Sequence, residues 1–132
     1  MVSSSKALDQ AIAIDCKEVV ITWGSWLENQ RLLSFNTRIA YLHDLEVFLV
    51  FLSKHLGQRI SLVDLEKLTL TDFRSFITEI QVAGLSKSST ARTISTVRTF
   101  FHYLHRELAI TNRYVDQIKS PKTNHSVPKA LT

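Results

Sequence analysis

The segment "LSFNTRIAYLHDLEVFLVFLSKHLG", residues 33–57, decides the fold. Its apolar centre, "VFLVFL", taken alone reads as a buried strand. The flanks choose otherwise. Tyr41, Leu45, Phe48 and Leu52 form one row at three- and four-residue spacing, and Leu42, Leu49 and Leu56 form the adjacent row. That is the period of an α-helix, sustained far beyond the length of an ordinary strand. Ser34 or Asn36 can cap its first amides. Gly57 stands where a left-handed residue ends a helix.

Downstream, "GLSKSSTARTISTVRTFFHYLHR" (84–106) carries Ile94, Val97, Phe101, Leu104 and then Leu108 on one helical stripe, with Ser86 as cap and a helix over about 87–108. Between these segments, "QRISLVDLEKLTL" reads as a connector that sends Ile60, Leu62, Leu65 and Leu68 inward, with room for one short turn. "TLTD" (69–72) is a capping box. It opens a helix through Phe73, Phe76, Ile77 and Ile80 that ends near Gly84. Upstream, Val20, Trp23 and Leu27 share a face with Val19, Trp26 and Leu33 beside it, giving a helix over about 12–31. "RYVDQI" suggests a short fifth helix. Residues 1–11 read as a loose end, and 119–132, with two prolines and three lysines, as a linker toward a further domain. The expected fold is all-α, a compact bundle of four to five helices over 12–118.

With 3 Gly, 2 Pro and one Cys in 132 residues, the chain has few turns and no internal disulfide framework. No basic region followed by an apolar stretch marks a secretory signal, and the longest apolar run is too short to span a bilayer. A cytoplasmic location is expected. The net charge of +4 is uneven: residues 1–84 hold eight Lys and Arg against ten Asp and Glu, residues 85–132 eight against two. No acid occurs between Glu79 and Glu107. Such asymmetry fits either a polyanion partner, most often nucleic acid, or a solvated basic face.

The helix over 87–108 adds a second signal. Projected at 100° per residue, Ser88, Ser89, Arg92, Thr93 and Thr96 fall on an arc roughly opposite the apolar stripe. Ser and Thr are mediocre helix formers, so an exposed arc of them sacrifices helix stability. Short hydroxyl side chains let a helix settle into a DNA major groove and donate to phosphates or base edges. Arg92 can bond guanine or phosphate through its fork. Lys87 and Ser86 lie in the first turn, where free amides attract phosphate.

Four stretches in order, "LSFNTRIAYLHDLEVFLVFL", "LTLTDFRSFI", "GLSKSSTARTISTVRTFFHYL" and "PKTNHSVPKAL", resemble the N-terminal, SAM-like core-binding domain of tyrosine recombinases of the phage-integrase family, and most of all the bacterial Xer type. The resemblance covers about residues 17–132. It implies half of a clamp around duplex DNA, with the second and fourth helices in the major groove. It implies DNA contacts from Asn36, Thr37, Arg38 and His43, and from Lys87, Ser88, Ser89, Arg92, Thr93 and Thr96, with Lys122 and the linker along the backbone. It further implies a tetramer of recombinase subunits on two duplexes, contacts between subunits through the first helix, and a role in resolving chromosome dimers. The family's arginines, lysine, His-x-x-Arg element and tyrosine nucleophile find no match here. Tyr41 sits on an apolar helix row and Tyr103 on the packed fourth helix, and neither they nor Tyr114 read as the nucleophile, so this chain alone is expected to bind DNA as a monomer and not to cut it. One departure is Arg113, where the family often has proline.

Other candidates read as structural. His102 and His105 are spaced to share a metal but lack further ligands, so no metal or cofactor is expected. Cys16 shows no sign of a nucleophilic pair. Trp23, Trp26, Phe100 and Phe101 read as core. Two rivals stay open. A helical protein-interaction adaptor would bind with little salt dependence. A free-standing helix-turn-helix regulator would act as a palindromic dimer.

Overall fold

The computed structural model describes residues 6–30 and 32–121. Six helices follow in order: α1 (Lys6–Ala11), α2 (Ile14–Glu28), α3 (Phe35–Leu56), α4 (Leu62–Lys67), α5 (Leu70–Val82) and α6 (Lys87–Leu108), then a 3₁₀ turn at Val115–Gln117. "VFLVFL" is helical. Ser34 caps α3 by accepting from the Thr37 amide, and Gly57 closes it at φ 72°. Ser86 caps α6 in the same way through Ser89. Thr69 and Asp72 form the expected capping box on α5.

Two readings change and a third is filled in. Residues 6–11 are not a loose end: α1 buries Leu8 and Ala11 and packs along α3. The connector holds a full helical turn, α4, because Ser61 and Asp64 make a second capping box. "RYVDQI" yields only a 3₁₀ turn. Its approach is fixed by Asn112, which donates to the carbonyls of Leu65 and Leu68 at 2.9 Å each and accepts from the Tyr114 amide at 2.9 Å. The side chain thus satisfies carbonyls left over at the end of α4.

α3 and α6 share the largest helix–helix contact. The core forms where they meet α2 and α5. Phe48 touches Phe73 (centroids 6.1 Å), Phe76 (5.0 Å) and Phe101 (6.2 Å), and Phe100 meets Trp23 edge-on at 5.4 Å. Trp23, Phe48 and Phe100 are completely buried. These rings, with Phe101, are core as expected. Each buried aromatic removes a large apolar area from water, and edge-to-face pairs add about 0.5–1.5 kcal/mol.

Among the described residues there is no strand, only an isolated parallel bridge between Ile12 and Ile60. The Ala13 amide donates to the Ile60 carbonyl at 2.8 Å, and the Ile60 amide to the Ala11 carbonyl at 2.9 Å. Arg59 also donates to the Asp9 carbonyl at 2.7 Å. No helix among the described residues is long and apolar enough to cross a membrane.

Candidate nucleic-acid interface

α6 buries a wider arc than its apolar stripe. Thr90, Thr93 and Thr96 are buried together with Ile94, Val97, Phe100, Phe101 and Leu104. The helix is packed on two sides, by the aromatic core and by α3. A threonine can enter such an interface because its hydroxyl bonds a carbonyl of its own helix. Thr93 Oγ1 donates to Ser89 O at 2.9 Å, and Thr96 Oγ1 lies 3.1 Å from Arg92 O. The expected outward arc is therefore corrected. Thr93 and Thr96, at 2% and 0% exposure, face inward and cannot meet base edges in this conformation. The outward face of α6 instead centres on Lys87, Ser88 and Ser95, which are exposed, flanked by half-buried Ser89, Ala91 and Arg92.

Arg92 is not a free fork. Its Nε donates to Asp44 Oδ2 at 2.8 Å and its Nη2 to Asp44 Oδ1 at 2.7 Å. Thr96 Oγ1 lies 3.0 Å from Asp44 Oδ2. Asp44 is buried on α3, with its side chain 4% exposed, against 40% for that of Arg92. The bonded carboxylate raises the Arg92 pKa above its already high value, against the opposing effect of partial burial. Sequence reasoning missed Asp44. The signal was available in part: it sits one residue before Leu45 and four before Phe48, at the edge of the apolar rows, where an acid that packs inward needs a partner.

On α3, Asn36 and His43 are exposed and share a face, being seven residues apart. Thr37 is half-buried and its hydroxyl accepts from Ser34 at 2.9 Å. Arg38 points elsewhere. It pairs with Glu28 of α2 at 3.9 Å and lies over the Phe35 ring at 5.4 Å. Arg38 and Asp44, six positions apart, stand roughly 120° apart around the helix, so Arg38 flanks α2 while Asp44 faces α6. The fold thus brings Arg92 to α3 through Asp44, and puts Arg38 on another side. Lys122 lies outside the described residues.

The two histidines of α6 and Arg98 have local partners. His102 Nε2 lies 2.9 Å from Asp116, and His105 Nδ1 2.9 Å from Thr111. Arg98 donates to the Ile118 carbonyl. The Cys16 thiol is pushed up to about 12, chiefly by burial and then by Asp15 and Asp64. It stays protonated and unreactive at neutral pH. Across α2 and α3 from this region, Ile21, Phe35 and Ile39 expose apolar side chains around half-buried Val20 and Leu42.

Residues 20–108 match the family described as Phage integrase, N-terminal SAM-like domain. The chain is similar to proteins named tyrosine recombinase XerC. It is 31% identical to that of Rickettsia typhi over 90% of this chain and 39% of the relative. For Rhodospirillum centenum the figures are 31%, 99% and 38%, and for Brucella suis 33%, 83% and 35%. The chain spans about two fifths of the length of these relatives. No solved structure matches.

Proposed function

Because this chain belongs to the phage-integrase N-terminal SAM-like domain family, we propose that it grips duplex DNA as the N-terminal part of a site-specific tyrosine recombinase, in the resolution of chromosome dimers. The observation that carries this reading is the outward surface at the start of α6. Lys87 and Ser88 stand exposed beside the free amides of the first turn. The carboxylate that the fold brings to Arg92 near this end of the helix, Asp44, is buried and neutralised by that arginine. A phosphate backbone would meet a cation, hydroxyls and helix-end amides there, and no open carboxylate from α6.

Roles follow from placement. Lys87 and the α6 amides hold phosphate. Ser88 and Ser89 donate to phosphate or base edges in the major groove. Asn36 and His43 act from α3 on the same duplex, with Thr37 at their edge. Arg92, whose fork is committed to Asp44, contacts phosphate through its remaining N–H groups and does not read guanine through both arms. Thr93 and Thr96 are withdrawn as contacts. The exposed apolar side chains Ile21, Phe35 and Ile39 serve contacts with neighbouring recombinase subunits in a tetramer on two duplexes.

The test is titration of the isotope-labelled chain with random-sequence duplex at low ionic strength, followed by NMR. Amide signals of Ser88, Ser89, Ser95 and Asn36 should shift, and Lys87→Glu should weaken binding and lower its salt dependence. Unmoved signals, or binding indifferent to salt, would overturn the reading and favour a protein-interaction role.

A further inference from the structure

A carboxylate buried between two helices is costly. Removing it from water is repaid only by good geometry, and apolar residues of similar size would often hold such helices together as well or better. Asp44 nevertheless occupies the α3–α6 contact, buried at the edge of the apolar rows of α3, and its two oxygens are taken by Arg92 and Thr96. The geometry of the pair is one-sided. Nε and one Nη2 hydrogen of Arg92 are fixed, which leaves Nη1 with no partner among the described residues. The carboxylate is 4% exposed while the arginine is 40% exposed, so the open part of the guanidinium is the part turned away from Asp44. A long side chain that would otherwise sample many rotamers is held in one, with its unused donors toward water beside Ser88 and Ser89.

We propose that Asp44 is a positioning residue for DNA binding: it clamps the inner edge of Arg92 so that the outer edge is already aimed at a backbone phosphate. The inference rests on the reading of α6 as a DNA-facing helix. The entropy of ordering Arg92 is met on folding and not on binding, which is how preorganisation raises affinity. Thr96, bonded to the same carboxylate, fixes its orientation in turn.

The experiment turns on a sign. Asp44→Asn leaves the volume nearly unchanged and makes the chain one charge more positive. Plain electrostatics then demands tighter duplex binding. Positioning demands the reverse: affinity for random-sequence duplex falls about tenfold, and the slope of log affinity against log salt shrinks by about one. The Arg92 Nε–H signal, distinct and responsive to duplex in the wild type, should collapse into the pool of free arginines. Helix content by circular dichroism checks the fold. If Asp44→Asn does not fold, Asp44→Leu, which suits the surrounding apolar row and keeps Arg92, is read by the same criteria. Binding equal to or tighter than wild type in a folded variant overturns the proposal and leaves Asp44 as a packing element only. Wild-type chain that ignores duplex at low salt instead overturns the underlying reading of α6, and the two failures cannot be confused.

Discussion

α3 and α6 are built on one plan and filled differently. Each has 22 residues, each starts on a serine cap, and each ends on a residue with left-handed backbone, Gly57 in one and Ala109 in the other. α3 turns leucine and phenylalanine to its partners and carries a single buried acid, Asp44. α6 turns phenylalanines inward too, but lines part of its buried arc with threonines. The difference teaches what a polar crossing is for. The aromatic part of the contact supplies stability, and the Asp44–Arg92–Thr96 part supplies orientation.

The strongest test of that division removes a ring from each helix. Phe48→Ala and Phe101→Ala should each cost about 3–5 kcal/mol in urea unfolding. With centroids 6.2 Å apart they share one cluster, so the double variant should depart from the simple sum. Additive losses would break the idea of a common centre.

Next in size is the asymmetry of the ion pair. Arg92→Ala should cost about 3 kcal/mol, at the low end for a buried pair, because it strands the Asp44 carboxylate. Asp44→Ala should cost about 1.5 kcal/mol, since the half-exposed arginine can turn to water. Equal losses would show that the two sides are not differently buried.

A smaller effect sharpens the contrast at the helix ends. α3 is tied near its C-terminus by His55, 2.9 Å from Asp72, while α6 has the more exposed His102–Asp116 pair. Burial disfavours ionised Asp72, but the Thr69 amide, then His55 and the Thr69 hydroxyl, outweigh it and hold the carboxyl below its ordinary range. A depressed carboxyl adds stability above its unfolded value, near 4, and that stability is lost as pH falls below it toward the folded value. Asp72→Asn should therefore cost about 1 kcal/mol at pH 7 and flatten thermal stability measured below about pH 4. Asp116→Asn should change neither, as expected for a surface pair.

The smallest effect compares the two left-handed ends. Ala109 at φ 56° is the only described non-glycine residue with positive φ. Ala109→Gly should stabilise by about 0.5 kcal/mol, and Gly57→Ala should destabilise by about 1 kcal/mol. A calorimetric shift of the same sign in both would contradict the cap assignments.

Much of the fold was legible because it is local. Leucine spacing gave α3, Ser86 and the stripe from Ile94 gave α6, and Thr69 with Asp72 gave the start of α5. The same capping pattern at Ser61–Asp64 opens the short turn within the connector. What sequence could not supply were choices made between distant segments. Asn112 was silent because its partners lie more than forty residues away. The candidate interface suffered the same way. Lys87 and Ser88 fell on the exposed face as expected, but Thr93 and Thr96 looked polar in one dimension and proved interior in three. A hydroxyl that can bond its own helix carries no fixed preference for solvent.

The small bridge between Ile12 and Ile60 has a practical consequence. The stretch that matches the family starts at residue 20, yet the polypeptide is already woven into the bundle before that point. A fragment begun there would lack the partners of the Ile60 amide and carbonyl, and would uncover a residue that is 0% exposed. Each backbone bond exchanged for water there would cost about 0.5–1.5 kcal/mol, in addition to the apolar surface uncovered. The working boundary of this domain lies upstream of residue 20, where the family match begins.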